Sequence, residues 1–469
     1  MKYNRNSVSS IKIAYLGGGS RGWAWNFMSD LASCSDISGD VYLYDIDMQA
    51  AENNVIIGEK YKTADGARSV WNYHACQTIE QALTDADFVI ISILPATFDE
   101  MESDVHTPEK YGIYQSVGDT SGPGGVLRAM RTIPIFEGFA EKIRECCPKA
   151  WVINYTNPMT QCVKALYRVF PEIRAFGCCH EVFGTQKLLK AVVEEMLEET
   201  NVLRQEIKVN PVGVNHFTWL TRAEYKGTDL FPLYREFWMH HPDGFSKEGL
   251  RIDTNWANKT KSYEKVKRDL FLRYGYIAAA GDRHLAEFCP GKWYLESPQR
   301  VEQMHFGLTS VQWRKDDLRS RLARSARLIS GEEPIVIKKT GEEGVQQIRS
   351  LLGLTELVTN VNLPNVGQIP NLPLGAVVES NAAFRAGSVT PVMAGPIPVS
   401  IYALVARICA EQEAVADGIA RRDTEAIFAA FSGDPLVTCN LQEARRLFCE
   451  MFENTADWLT MYAPLKEVE

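Results

Sequence analysis

The sequence predicts an α/β chain, a doubly wound parallel sheet over residues 1–180 followed by a mixed α+β second domain over residues 181–469. Two observations carry this reading. Short β-branched runs alternate with amphipathic helical stretches through the first 180 residues, and a glycine-rich turn follows directly on the first of those runs. After Gly184 the alternation gives way to longer helical and strand-like segments, which calls for a differently built lobe.

The candidate strands of the first half are Ile11 to Leu16, Val41 to Tyr44, Phe88 to Leu94, Trp151 to Tyr155 and Ile173 to Phe176, with helical patterns such as Val126 to Cys146 between them. Beyond them the chain predicts a helix to about Thr200, a strand over Ile207 to Val214, aromatic-rich helical segments through Phe271 and a charged helix from Trp313 to Leu328. Gly353 to Pro398 is dense in proline, glycine and asparagine and predicts hairpins and loops, before closing helices from about Val399 to Met461.

Composition narrows the function classes. Of 469 residues, 50 are Lys or Arg and 59 Asp or Glu, a net charge of −9 with no basic run, which argues against nucleic acid and anionic membranes as partners. The longest apolar stretch, Phe88 to Leu94, falls far short of the ~20 residues of a membrane helix. Ile11 to Leu16 is too short, and too soon broken by glycine, for a signal-peptide core. Eleven cysteines, an odd number thinly spread, suit a reducing compartment, so a cytoplasmic protein is expected.

Gly17-Gly18-Gly19-Ser20-Arg21-Gly22 follows the first strand and runs into a helical pattern from Trp23 to Leu31. In that context Gly17 allows a tight turn, Gly19 lets backbone approach a pyrophosphate, and Gly22 lets helix and strand pack closely, with Ser20 and Arg21 completing the loop at the helix N-terminus. Asp45, at the end of the second strand and ~20 residues further on, is placed to hold ribose hydroxyls. An acid there repels a 2′-phosphate, so this Rossmann-like unit is expected to bind NAD in preference to NADP. Asp47 competes for the role if the strand ends two residues later.

Four polar clusters lie at element ends, where sites are built. Asn157 follows the fifth strand in Asn154-Tyr155-Thr156-Asn157-Pro158, either facing the crevice beyond the strand ends or merely capping a helix that Pro158 opens. Cys178-Cys179-His180-Glu181 and Asn215-His216 follow two other strands. Either cysteine with His216 could make a metal pair, for which ligand softness favours zinc; the alternative is a buried thiol and a hydrogen-bonded core imidazole. Gly118-Asp119-Thr120-Ser121-Gly122-Pro123-Gly124-Gly125 reads as a flexible site wall leading to Arg128 and Arg131, or as a capped helix start with solvated arginines. Tyr274-Gly275-Tyr276 and Gly281-Asp282-Arg283-His284 form the fourth cluster, a ligand loop in character, although either tyrosine alone would more often be packing.

Taken in order, these motifs resemble family-four glycoside hydrolases, the NAD-dependent exception to two-carboxylate glycosidase chemistry. The resemblance covers most of the chain. It runs through the Gly17 to Gly22 loop, Asp119 in Gly-Asp-Thr-x-Gly-Pro-Gly-Gly, Arg131 in Leu-Arg-x-Met-Arg-Thr-Ile-Pro, Asn157 in Thr-Asn-Pro, Cys179-His180-Glu181-Val182, His216 in Gly-Val-Asn-His, and Ile369-Pro370-Asn371-Leu372-Pro373. Cys-His-Glu-Val and the Gly281 to Phe288 stretch resemble the α-uronidase branch, α-galacturonidases above all. The resemblance implies a first domain like that of lactate and malate dehydrogenases, and a second domain that binds substrate and metal and builds a homodimer or homotetramer.

It further implies NAD and a divalent ion, usually manganese, ligated by Cys179 and His216, acting on a small-molecule α-glycoside of a uronic acid. Cys178 departs from the pattern by adding a second thiol beside the ligand. A sugar C2 hydrogen is too weak an acid to be removed directly. The implied reaction therefore oxidises C3 first, removes the C2 proton from the ketone, expels the aglycone, adds water and returns the hydride, so that NAD is recycled. Asp282 is the first choice for the base, with Tyr276 or Tyr274 as alternatives, and His180 or Asp119 assists the leaving group. Asn157, Glu181 and Asn215 are expected to contact the sugar, and Arg283 or Arg131 to meet the uronate carboxylate bidentately. The rival readings are an α-galactosidase or α-glucosidase of the same family, and an NAD-dependent hydroxy-acid dehydrogenase needing no metal.

Overall fold

The computed structural model describes residues 1–246 and 262–465. Six parallel strands run in the spatial order Trp71–Cys76, Ile37–Tyr44, Ser7–Leu16, Phe88–Ile91, Trp151–Asn154 and Arg174–Gly177. Numbered along the chain this is the order 3-2-1-4-5-6 of a doubly wound nucleotide fold, with its switch point between Ser7–Leu16 and Phe88–Ile91. Strand Ser7–Leu16 shows why both faces are covered. Ala14 and Leu16 enter one apolar cluster with Leu127 and Met130, while Ile11, Ile13 and Tyr15 enter another with Phe27 and Leu31.

The sheet does not stop at the sixth strand. Gly177 pairs with Asn362 of Leu357–Pro364, and the sheet continues antiparallel through Val377–Arg385, Ile207–Val214, Phe217–Tyr225 and Thr228–Asp229. Helices Glu181–Met196 and Leu230–His240 cover this extension through a third cluster that holds Leu189, Phe237 and Trp238. The predicted closing helices are Val399–Arg421, Thr424–Gly433 and Leu441–Asn454, and the Gly353 to Pro398 stretch forms the expected hairpin strands.

Two elements differ from expectation. Trp71–Cys76 is an edge strand whose Trp71 and Tyr73 are buried while Asn72 and His74 are exposed; lacking β-branched residues, it carries a weak strand signal. Phe217–Tyr225, expected as helical, is a strand that turns back on Ile207–Val214 at Asn215-His216. A short apolar run does not distinguish helix from strand by periodicity, and here the partner strand decides. Part of the aromatic-rich segment expected through Phe271 lies outside the described residues.

Candidate active site

The crevice lies beyond the C-terminal ends of the parallel strands. At the switch point, Gly17, with φ +93°, turns the chain where a Cβ would come within 2.0 Å of the Ser92 carbonyl oxygen. Gly19 donates its N–H to Asp45 Oδ2 at 2.8 Å, and a Cβ there would strike Ala50 and Asp45. Asp45 Oδ1 accepts from the Asp47 N–H at 3.0 Å. Asp47 itself caps helix Met48–Tyr61 by accepting from the Ala50 N–H at 3.1 Å, which explains it without a ligand. Helix Trp23–Ala32 begins after Gly22 with no side-chain cap and no acid in its first turn, so its leading N–H groups and dipole suit a diphosphate. A cradle of this shape fits NAD, and Ser20 and Arg21 lie along it. Gly22 is not explained by helix–strand packing, because among the described residues the neighbour a Cβ there would meet within 4 Å is the Arg321 guanidinium.

The opposite wall is built on the polar loop at 118–121. Helix Gly122–Cys146 begins inside the glycine run, so only the first half of the expected flexible wall is loop. The glycines let loop and helix fold onto each other, since a Cβ on Gly125 would come within 2.5 Å of the Thr120 backbone. Buried Glu287 holds the loop by accepting from the Val117 and Gly118 N–H groups at 2.7 and 2.9 Å. Burial, with Asp119 close by, pushes its carboxyl up to about 8.

Asp119 is thereby set in the crevice. Its Oδ1 accepts from the Thr120 hydroxyl at 2.7 Å and its Oδ2 from Asn157 Nδ2 at 3.2 Å. Arg128 Nε donates to the Asn157 carbonyl oxygen at 3.2 Å. Burial works against an ionised Asp119, yet the Arg128 guanidinium beside it holds the carboxyl well below the usual range. Thr120 Oγ1 also lies 3.2 Å from His216 Nδ1, and the His216 ring stacks on His284 with centroids 4.1 Å apart. Burial lowers His216 to about 3, so the imidazole is neutral and able to ligate. Donor atoms of Asp119, His216 and His284 lie within 4.8 Å of one another, an oxygen-and-nitrogen set that fits a divalent ion harder than one favouring thiolates.

Cys179 stands on the other side of the Asn215-His216 turn. Its carbonyl oxygen accepts from Asn360 Nδ2 at 3.2 Å, and Asn360 and Asn215 both donate to buried Glu379, at 2.7 and 3.1 Å. Thr218 donates to the same carboxylate at 2.8 Å. Burial, with Glu379 and Glu181 nearby, pushes the Cys179 thiol well above its ordinary range. Cys178 points elsewhere, its Sγ 3.1 Å from Gln347 Oε1. His180 stacks on Trp23, with Nδ1 3.2 Å from Glu342 and Nε2 4.0 Å from Glu181. Glu181 accepts from the Gly281 N–H at 2.7 Å and lies 3.6 Å from His284 Nε2. Burial would raise its carboxyl, but His284 and His180 outweigh it and hold it at about 2.

The remaining expected residues are set in other contacts. Asp282 is buried and accepts from the Val266 and Lys267 N–H groups at 3.1 and 3.0 Å, capping helix Lys265–Tyr274; burial and the nearby Glu264 raise its carboxyl above the ordinary range. Tyr276 packs edge-on against Phe231 and Tyr274 against Trp219. Arg131 pairs with Asp104 in a buried ion pair. Arg283 ties three segments together, donating to the carbonyl oxygens of Ser116 and Gly307 and to the Thr309 hydroxyl. Asn157 is not a cap, because helix Met159–Val169 starts from Pro158 and the Asn157 side chain serves Asp119.

Arg128, expected as an anion-pairing arginine, lies beside Asp119; His284, Glu287, Glu379 and Asn360 are the site groups that residue patterns alone assigned no role. His284 carried a signal, an imidazole at the end of a glycine-flanked polar run. Glu379 and Asn360 carried almost none, since a polar residue inside a hairpin strand looks solvated until its partners are known.

Comparison with known proteins identifies the family of the chain. A family model described as "Family 4 glycosyl hydrolase" matches residues 12–195, and its C-terminal domain model matches 211–437. The chain is 57% identical to an α-galacturonidase of Thermoanaerobacterium saccharolyticum over 98% of both chains. It is 48% identical to an α-galacturonidase of Bacillus subtilis over 96% of this chain and 99% of the other. A crystal structure from Bacillus subtilis, 49% identical, superposes with a TM-score of 0.89 over 95% of this chain and 100% of that one. A 6-phospho-α-glucosidase from gut microorganisms, solved with NAD and Mn2+, shares the fold at 18% identity and a TM-score of 0.81, covering 97% and 100%. The two family models take up the glycine loop and the Cys179 turn in the first half and the His216 turn and His284 in the second, and the chain belongs to the family 4 glycosyl hydrolases.

Proposed function

We propose that this chain hydrolyses α-galacturonides with NAD and a manganese ion bound. The observation that carries the reading is 57% identity to an α-galacturonidase across nearly the whole of both chains, against 27% to an α-galactosidase of Bacillus subtilis. When bound, the two groups supply reversible oxidation at sugar C3 and polarisation of the resulting carbonyl. The chain's own residues then divide the remaining work. Gly17, Gly19, Ser20, Arg21, Gly22 and Asp45 hold the dinucleotide. Cys179 and His216 hold the ion, with Asp119 and His284, whose donor atoms lie within 4.8 Å of that of His216, supplying further donors. Asn157, Glu181 and Asn215 position sugar hydroxyls.

Asp282 takes the C2 proton, with Tyr276 or Tyr274 as the alternative, and His180 or Asp119 assists the departure of the leaving group, Asp119 as a carboxylate that accepts and orients hydrogen bonds. Arg131 or Arg283 meets the uronate carboxylate, for which either must relinquish a present contact. We also propose a domain boundary near residue 180, a homodimer or homotetramer, and a cytoplasmic location; all eleven cysteines are free, which supports the last. Among the described residues no helix is long and apolar enough to cross a membrane.

The test is release of p-nitrophenol from p-nitrophenyl α-galacturonide and α-galactoside, with NAD, manganese and reductant omitted in turn. Release from the galacturonide that needs all three, with no NADH accumulating at 340 nm, is expected. Release confined to the galactoside refutes the substrate assignment, and stoichiometric NADH refutes the redox-neutral reaction.

A further inference from the structure

We propose that Arg321, from the C-terminal half of the chain, is a direct ligand of the dinucleotide's diphosphate, and that Gly22 is glycine in order to admit it. The inference rests on the NAD reading above. Helix Val311–Ser330 lies across the nucleotide-binding unit and is fixed there at several points. Lys60 Nζ donates to the Leu328 and Ile329 carbonyl oxygens at 2.7 and 2.6 Å, and the Arg324 guanidinium sits 5.5 Å from the Trp25 ring centroid. The helix therefore presents Arg321 at a set position.

That position is the end of the glycine loop. Arg321 Nη1 donates to the Arg21 carbonyl oxygen at 3.1 Å, and Nε donates to Asp317 Oδ2 at 2.6 Å. Asp317 thus holds one edge of the guanidinium fork and partly offsets its charge. Among the described residues Nη2 has no hydrogen-bond partner, and the side chain is one-third exposed. The guanidinium lies beside the uncapped N-terminus of helix Trp23–Ala32, where amides and helix dipole already favour an anion.

Gly22 supplies the independent observation. A Cβ would stand 2.4 Å from Arg321 Nη1 and 3.7 Å from its Cζ, with no other non-neighbouring group of the described residues within 4 Å. Among the described residues the arginine fills the space left by the missing side chain. A planar guanidinium suits phosphate oxygens, for which Arg offers paired donors.

The test measures dissociation constants of NAD, ADP and adenosine by calorimetry for wild type, R321A, R321Q, R321K, G22A and the R321A/G22A double variant, with thermal unfolding of each. R321A and R321Q are expected to raise Kd for NAD and ADP about tenfold while leaving adenosine within twofold, and R321K to recover part of the loss. G22A, by displacing the guanidinium, is expected to match R321A, with no further loss in the double variant. An ADP affinity unchanged in R321A or R321Q overturns the proposal, as does an equal loss for adenosine and ADP. If wild type binds neither NAD nor ADP, the NAD reading itself falls; binding by wild type that R321A leaves intact refutes only the role of Arg321.

Discussion

Glu287 offers the sharpest test of how the Asp119 loop is held. Its carboxyl is raised from 4.5 to about 8 by burial, although one of its oxygens accepts two backbone N–H bonds. A raised acid binds its proton more tightly in the folded state. Below pH 4.5 both states are protonated and the full contribution to stability is present. Between 4.5 and about 8 the unfolded chain gives up the proton and the folded chain keeps it, so stability falls as pH rises. Above that window the folded protein carries a buried carboxylate. At about 1.4 kcal/mol for each tenfold in proton affinity, the displacement corresponds to on the order of 5 kcal/mol across the window. Glu287→Gln reproduces the neutral acid in shape, with a carbonyl oxygen for Val117 and Gly118. It should therefore match wild type near pH 5 and exceed it increasingly toward pH 8, by several kcal/mol. Glu287→Ala, by contrast, leaves two buried N–H groups without an acceptor, about 1–3 kcal/mol each, and should be less stable than wild type near pH 5, by a margin that narrows toward pH 8 as wild type loses the contribution of its neutral acid. Urea unfolding followed by tryptophan fluorescence at pH 5, 6, 7 and 8 gives the comparison, since other titrating groups cancel between variants. A wild-type minus Gln difference that does not change with pH would refute the account of a neutral buried acid.

Other expectations can be checked with single substitutions. Cys179→Ser should abolish metal-dependent glycosidase activity while leaving the calorimetric Kd for NAD near wild type; retained activity removes Cys179 from the ligand set. His284→Ala should weaken manganese binding, read by electron paramagnetic resonance, at least by the roughly tenfold that loss of even a supporting group typically costs, and unaltered affinity would leave His216 and Cys179 as the pair. Asp47→Ala should lower stability by about 1 kcal/mol through loss of a helix cap without changing NAD affinity, whereas Asp45→Ala should raise the Kd for NAD. Asp104→Ala strands the buried Arg131 guanidinium and should cost about 3–5 kcal/mol in denaturant unfolding; a loss under 1 kcal/mol would show that the charge finds another partner.

The nucleotide half was legible because local signals there agree with the global fold. Glycines at Gly17 and Gly19, strand runs such as Phe88–Ile91, and Asp45 at a strand end all follow rules that act within a few residues. The motif glycine Gly22 was legible as a position but not as a cause, since its neighbour Arg321 is some 300 residues away in sequence and no periodicity points to it. The same limit explains the sugar-side wall. Asp119, Asn157, His216 and Glu181 declared themselves by their motifs, whereas Glu287 under the loop and Glu379 behind Asn215 act through pairings set only by the tertiary fold. Asp282 shows the opposite case, a motif residue whose carboxylate the fold also employs to cap a helix.

The order of strands in the sheet bears on how the chain comes to be folded at all. Arg174–Gly177 and Ile207–Val214 are near in sequence, yet the late hairpin Leu357–Pro364 and Val377–Arg385 is inserted between them. On the ribosome, the Cys179 and Asn215 turns emerge long before Asn360 and Glu379, the groups that pin them. Until then the sixth parallel strand has an open edge and the hairpin at 207–225 has no neighbour on its inner side. Such non-local pairing makes the sugar-binding half late and slow to form and exposes strand edges meanwhile. Truncations ending before residue 385 are therefore expected to yield aggregating chains with no half-active enzyme among them, and expression should gain more from slowed synthesis or chaperones than from stabilising the nucleotide half.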